Sequence, residues 1–106
     1  MYGNINNEEK VSNICDNTFN AFSRDKENIS TIINYFHNWP YSEIENSGES
    51  VDVYFSSRWT FPEKEMNELF EIIPNKDDIH MRCLSYEFGN LYHALWICDE
   101  DGWREV

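Results

Sequence analysis

Between positions 51 and 62 the chain reads VDVYFSSRWTFP and changes its hydrophobic period without a loop. Val51, Val53, Phe55 and Ser57 alternate with Asp52, Tyr54, Ser56 and Arg58, the two-residue period of a strand with one buried face. The period then lengthens. Thr60-x-x-Glu63 has capping-box spacing, Pro62 fits the first helical turn, and a helix is predicted over 61–73. Met66, Leu69, Phe70 and Ile73 form its apolar stripe, and Glu65, Glu68 and Glu71 fall opposite. Pro74 ends it.

The same reading extends to both sides. Residues 1–12 are polar and aperiodic, and are expected to be a flexible N-terminal segment. Positions 14–22 alternate, placing Cys15, Asn17, Phe19 and Ala21 on one side of a first strand. Ser23 is the expected N-cap of a helix with Asp25 and Glu27 in its first turn and Ile29, Ile32, Ile33 and Phe36 along one stripe. Asn38-Trp39-Pro40 stops that helix. Positions 41–45 and 51–57 flank the turn cluster Asn46-Ser47-Gly48, a hairpin signal. After a turn at 75–78, strands are predicted over 79–87 and 91–98, joined by Phe88-Gly89-Asn90, where Gly89 can supply a positive φ. An acidic C-terminal tail, 99–106, turns at Gly102.

The order β-α-β-β-α-β plus one added C-terminal strand implies an α+β, ferredoxin-like two-layer sandwich over 13–98. Its antiparallel sheet carries two helices on one face. The expected strand order is 4-1-3-2, with the fifth strand beside the fourth. No repeat, linker or second domain interrupts it.

Composition narrows the class. A 106-residue chain that is 41% hydrophobic can bury roughly two-thirds of its unfolded surface without metals or crosslinks. No apolar run has the length of a membrane span, and the N-terminus lacks the basic and apolar regions of a signal peptide. The expectation is a soluble, cytoplasmic protein. Cys15, Cys83 and Cys98 are odd in number and widely spaced, which suits buried free thiols rather than a zinc knuckle or dithiol. Charge says more. With 20 acids against 8 lysines and arginines, the formal net charge is −12. Such a chain repels phosphate backbones, so direct nucleic-acid binding is disfavoured, whereas a strongly basic partner surface is favoured.

Four blocks then resemble the ferredoxin-like domain of YubB-type proteins, small proteins and modules carried by plasmids and phages. Asn13-Ile14-Cys15-x-Asn17-x-Phe19 is similar to that family's N-W-C-x-N-x-L strand, with Ile14 in place of Trp. The helix after Ser23 matches in position. Val53-x-Phe55-x-Ser57-x-Trp59-x-x-Pro62 is similar to V-x-F-x-T-x-W-x-x-P, and Ser85-Tyr86-Glu87-x-Gly89-x-x-Tyr92 to a Y-E-x-G-x-x-[FY] hairpin. The family often carries a longer insertion with a W-G-T-K-W-like segment, which here shrinks to 38–49. The resemblance implies a fold and a mobile-element origin, and carries over no assigned reaction.

Candidate chemistry is sparse. Arg58, Trp59 and Glu87 could share a site, although a cross-sheet charge pair beside an aromatic plug over the core explains them as well. Alternation turns Cys83 inward with Ile79 and Met81 and His80 outward, which argues against a Cys–His dyad; His37 and His93 complete the histidines. Asp99-Glu100-Asp101-Gly102 lacks the alternating ligands of a calcium loop. No cofactor, metal or catalytic role is expected. The open sheet face should show Asp16, Thr18, Asn20, Tyr54, Arg58, His80, Arg82, Leu84 and Tyr86, too little positive charge for RNA.

The remaining signal is the acids, in three groups. Glu43, Glu45, Glu49 and Asp52 lie on the hairpin. Glu63, Glu65, Glu68 and Glu71 lie on the second helix, and Asp99, Glu100, Asp101 and Glu105 on the tail. Rows about 5–7 Å apart on strand or helix can imitate a phosphate backbone, although a solvated face is the commoner meaning of such runs. The expectation is a non-enzymatic inhibitor that occupies the basic nucleic-acid site of a host defence effector, such as a CRISPR effector or restriction nuclease. Its contacts would be Glu43, Glu45, Glu49, Asp52, Glu65, Glu68, Glu71, Asp99, Glu100 and Asp101. The alternative is an assembly module that binds a partner, or itself as a homodimer, through an edge strand.

Overall fold

The computed structural model describes residues 14–89 and 91–106. The expected flexible segment 1–12, Asn13 of the first matching block and Asn90 of the second hairpin lie outside them.

The alternation at the start of the chain becomes β1, Ile14–Phe22, with Cys15, Asn17, Phe19 and Ala21 buried. The first helix, α1, spans Lys26–His37 and buries Ile29, Ile32 and Phe36. Its N-cap is Asp25, not Ser23. The Asp25 carboxylate accepts the Glu27 amide at 2.9 Å, while the Ser23 hydroxyl accepts the Asp25 amide at 3.0 Å and donates to the Asp78 carbonyl at 2.6 Å. Ser23 is drawn out of the cap by a partner 55 residues away.

The hairpin pairs β2, Glu43–Asn46, with β3, Ser50–Arg58. Gly48 takes φ +84° at its tip, a conformation that costs glycine nothing. The second helix, α2, is Glu63–Ile72. The capping box does not form. Pro62 is the N-cap residue and supplies no side-chain hydrogen bond, and the Thr60 hydroxyl donates to the adjacent Phe61 carbonyl at 3.3 Å. A short 3-10 turn, Lys76–Asp78, leads into β4, His80–Glu87, followed by β5, Tyr92–Asp99. The segment read as an acidic tail is a sixth strand, β6, Gly102–Glu105, paired antiparallel with β5.

All six strands form one antiparallel sheet in the order β2-β3-β1-β4-β5-β6. β4, β1, β3 and β2 thus lie side by side, and β5 and then β6 extend the sheet beyond β4. Both helices cover one face, where Phe19, Val51, Val53, Phe55, Met81 and Cys83 meet Ile32, Phe36, Met66 and Leu69. Phe36 is fully buried, with ring centroids 4.9 Å from Phe19 and 5.0 Å from Phe55. Its removal would cost about 3–5 kcal/mol.

Two tryptophans close this core. The Trp39 ring lies 4.7 Å from Phe55, and its Nε1 donates to the Ser56 carbonyl at 2.9 Å. Trp103 Nε1 donates to the Met66 carbonyl at 2.9 Å and so pins β6 beneath α2. Trp59, expected as the plug, is 51% exposed at φ +70°. Its strained backbone turns the ring outward, and Trp39 takes the place at the core.

Candidate functional site

The acids singled out from the sequence separate into two surfaces. In the register of β2 and β3, Glu43 pairs with Tyr54, Ile44 with Val53, and Glu45 with Asp52. Val53 faces the core, so Glu43, Glu45 and Asp52 stand on the face turned away from the helices. The Asp52 carboxylate accepts Asn20 Nδ2 at 2.6 Å. Glu49 is exposed in the hairpin turn.

The other two groups lie on α2 and on the β5–β6 hairpin, toward the opposite edge of the sheet. Glu63, Glu68 and Glu71 are exposed on α2, and Glu65 is half-buried. The Tyr35 hydroxyl donates to the Glu65 carbonyl at 3.0 Å; burial, then the Glu68 and Glu65 charges, push its pKa up to about 12. The β5–β6 turn passes close to α2 at Gly102, where a Cβ would sit 3.8 Å from the Phe70 ring, and Glu100 and Asp101 are exposed in that turn. Glu105 pairs with Trp96, two residues beyond Trp103 and on the same helix-side face, and so flanks α2 as well. Sequence reasoning left Glu105 in a tail. The overlooked signal is Asp101-Gly102, a hairpin dipeptide ahead of a short alternating run.

Asp99, at the root of that turn, is not a free acid. Its carboxylate accepts the Asp101 amide at 2.9 Å and Arg104 Nη1 at 3.1 Å. Those contacts, the Asp101 amide first, hold its pKa below the usual value. Among the described residues, Glu43, Glu45, Glu49, Glu65, Glu68, Glu71, Glu100 and Asp101 take part in no ion pair. On α2 the acids repel at i,i+3 spacing, and Glu71 opposes the helix dipole in the last turn. No basic side chain of α2 answers it there. Lys76 instead donates to the Glu71 and Ile73 carbonyls, both at 3.0 Å.

The candidates for enzymatic chemistry are dispersed. Arg58 is exposed on the open face, whereas Glu87 is 3% exposed on the helix side. The sheet separates them, so they form no cross-sheet pair. Cys15 and Cys83 are buried on the helix side, while His80 and His93 are exposed on the other. Burial raises the Cys15 pKa and pushes those of Cys83 and Cys98 up to about 12, opposite to what activates a nucleophilic thiol. Around Cys83 lies a buried polar layer in which Asn17 Oδ1 accepts Ser85 Oγ at 2.6 Å and Asn17 Nδ2 donates to Ser57 Oγ at 2.9 Å. It ties β1 to both neighbouring strands. Among the described residues no three His, Cys, Asp or Glu side chains converge to hold a metal ion, and no helix is long and apolar enough to cross a membrane.

Compared with family models, curated proteins and solved structures, the chain matches none.

Proposed function

We propose that this is a non-enzymatic inhibitor whose acidic α2 surface enters the basic nucleic-acid site of another protein. The observation that carries the reading is the i,i+3 row Glu65, Glu68 and Glu71, which among the described residues takes part in no ion pair; Glu63, two residues before Glu65, stands off that row. Residues three or four apart on a helix stand about 5–6 Å apart, a spacing at which carboxylates can stand in for successive phosphates. Glu63 and Glu65 suit the helix dipole in the first turn, but Glu68 repels both its i,i±3 acids and Glu71 opposes the dipole in the last turn, which favours a role for these two in recognition over one in folding. One flat partner cannot reach both acidic surfaces at once, which leaves Glu43, Glu45, Glu49 and Asp52 outside this contact. Trp59, half-exposed at the corner before Glu63, is the aromatic anchor of the interface. Binding through such a surface is fast and salt-sensitive.

In this reading the fold is ferredoxin-like with a two-strand extension, and the likeness to YubB-type proteins reflects a phage or plasmid origin. The setting is then the host cytoplasm, and an anti-CRISPR or anti-restriction role follows. An edge-strand assembly module is less well supported. Both outer strands have only four residues, and β2 itself carries Glu43 and Glu45, features that protect an edge against pairing.

The test is capture from a host lysate in three arms: the native chain, Glu65→Lys/Glu68→Lys/Glu71→Lys, and Glu43→Lys/Glu45→Lys. The native chain and the hairpin variant should retain a nucleic-acid-binding protein that high salt releases, and the helix variant should lose it. A captured partner that still binds its nucleic acid in the presence of this chain would refute the proposal.

A further inference from the structure

The sheet face turned away from the helices carries an ordered charge pattern that the α2 row does not explain. One ladder crosses all six strands, with Glu45, Asp52, Asn20, Arg82, Ile97 and Arg104 side by side from β2 to β6. Its β2–β3 end is acidic and its β4–β6 end is basic. The neighbouring ladder is apolar at its centre. Tyr54, Thr18, Leu84 and Leu95 adjoin across β3, β1, β4 and β5, and Tyr54, Leu84 and Leu95 are 44%, 43% and 39% exposed. Glu43 continues that ladder on β2.

We propose that this face packs against the same face of a second copy of the chain. The dimer is two-fold, with its axis parallel to the strands between β1 and β4. Rotation about that axis lays β2 over the partner's β6, β3 over its β5, and β1 over its β4. Glu45 then meets Arg104 of the partner subunit, Tyr54 covers Leu95 of the partner subunit, and Thr18 covers Leu84 of the partner subunit. Each contact occurs twice, as an isologous interface requires. An in-plane axis perpendicular to the strands would instead set acid over acid and base over base. A uniformly acidic or basic partner would match only one end of the ladder, whereas a second copy sets opposite charges together at both ends, Glu45 against Arg104 of the partner subunit, with Asp52 over Ile97 of the partner subunit and Arg82 over Asn20 of the partner subunit between them.

The dimensions agree. Strand spacing of about 4.8 Å and a rise of about 3.3 Å per residue give a face of roughly 600 Å², close to the ~800 Å² per partner of a standard interface. Packed sheets cross at about −30°, which displaces the outer strands by a distance that long arginine and glutamate side chains span. Arg104 donates to Asp99 through Nη1, and its other donors remain for a second carboxylate. The α2 row stays on the outside of both layers, so the dimer does not depend on the inhibitor reading.

The experiment is light scattering coupled to size exclusion, on the full chain alone. The native protein should run at twice its 12.7 kDa mass. Glu45→Arg and Arg104→Glu should each shift it to monomer, at least ~10-fold weaker in dimerisation. An equimolar mixture of the two should restore the dimer, because one contact stays native and the other has its charges exchanged. Leu84→Asp should break the dimer with its circular dichroism unchanged, and mixing should not rescue it. A native chain that stays monomeric to about 1 mM, a mixture of folded variants that does not recombine, or a dimer that persists in Leu84→Asp would overturn the proposal.

Discussion

Asn28 and Asn75 clamp the start of α1 to the turn after α2. Asn28 Oδ1 accepts the Asn75 amide at 2.9 Å, and its Nδ2 donates to the Asn75 carbonyl at 2.8 Å. Asn28 is fully buried, and its Nδ2 also reaches Ser23 Oγ at 3.1 Å and the Asp78 carbonyl at 3.0 Å. A carboxamide can serve these partners because it carries both an acceptor and two donors. Asn28→Ala should cost about 2–4 kcal/mol by urea unfolding, since it strips several backbone groups of partners at once. Asn28→Asp should cost at least as much near neutral pH, because it aims a carboxylate at two carbonyls. A loss under about 0.5 kcal/mol for Asn28→Ala would mean that water replaces the amide.

Glu68 and Glu71, beyond the first turn of α2, should stabilise nothing. Glu71→Lys removes a like-charge contact with Glu68 and suits the helix dipole, and Glu68→Gln relieves the contacts with Glu65 and Glu71 without setting a second cation four residues from Lys64. Each should raise unfolding stability by about 0.3–1 kcal/mol while weakening capture of the partner. A fall in stability would show that these carboxylates hold contacts within the fold.

Trp59 occupies a left-handed conformation, φ +70°, with its ring half-exposed. For a bulky residue that conformation costs on the order of 1 kcal/mol, and glycine is free of it. Trp59→Gly should therefore raise the thermal midpoint and weaken partner binding. A lower midpoint would reveal packing that outweighs the backbone strain.

Stability should fall at both extremes of pH. Folded Cys83 and Cys98 titrate at about 12 instead of 9.0, and Tyr35 at about 12 instead of 10.0. All three are neutral when protonated, and the unfolded chain loses those protons first. Their contribution is complete below the ordinary thiol pKa and declines as pH rises through the interval up to the folded values. Urea midpoints should drop from pH 9.0 up to about 12, and Cys83→Ala with Tyr35→Phe should flatten the drop. On the acid side, Asp25 is lowered from 3.8, chiefly by the Asn75 side-chain amide. Its contribution is present above 3.8 and disappears as pH falls through the depressed folded value. Asn75→Ala should narrow that acid window; an unchanged acid limb would show that the amide does not act on Asp25.

Much of the molecule was already legible in the chain. The two-residue period of 14–22 and 51–57 fixed two strands and their buried faces, and the spacing of Ile29, Ile32 and Phe36 fixed the inner side of α1, because alternation and helical periodicity are local properties. What the sequence could not determine depended on distant partners. Ser23 has cap chemistry, but the Asp78 carbonyl claims its hydroxyl and Asp25 caps instead. Trp39 and Trp59 both border the core, and only the course of the backbone at each decides which ring enters it. Residues 102–105 carry a weak local signal and become a strand because β5 offers them a ladder of hydrogen bonds. That same pairing places Glu100, Asp101 and Glu105 on the β5–β6 hairpin, toward one edge of the sheet, and leaves Glu43 and Glu45 at the other. Composition set the amount of negative charge; strand order set where it gathers, since two acids distant in the chain become neighbours only through the sheet that joins them.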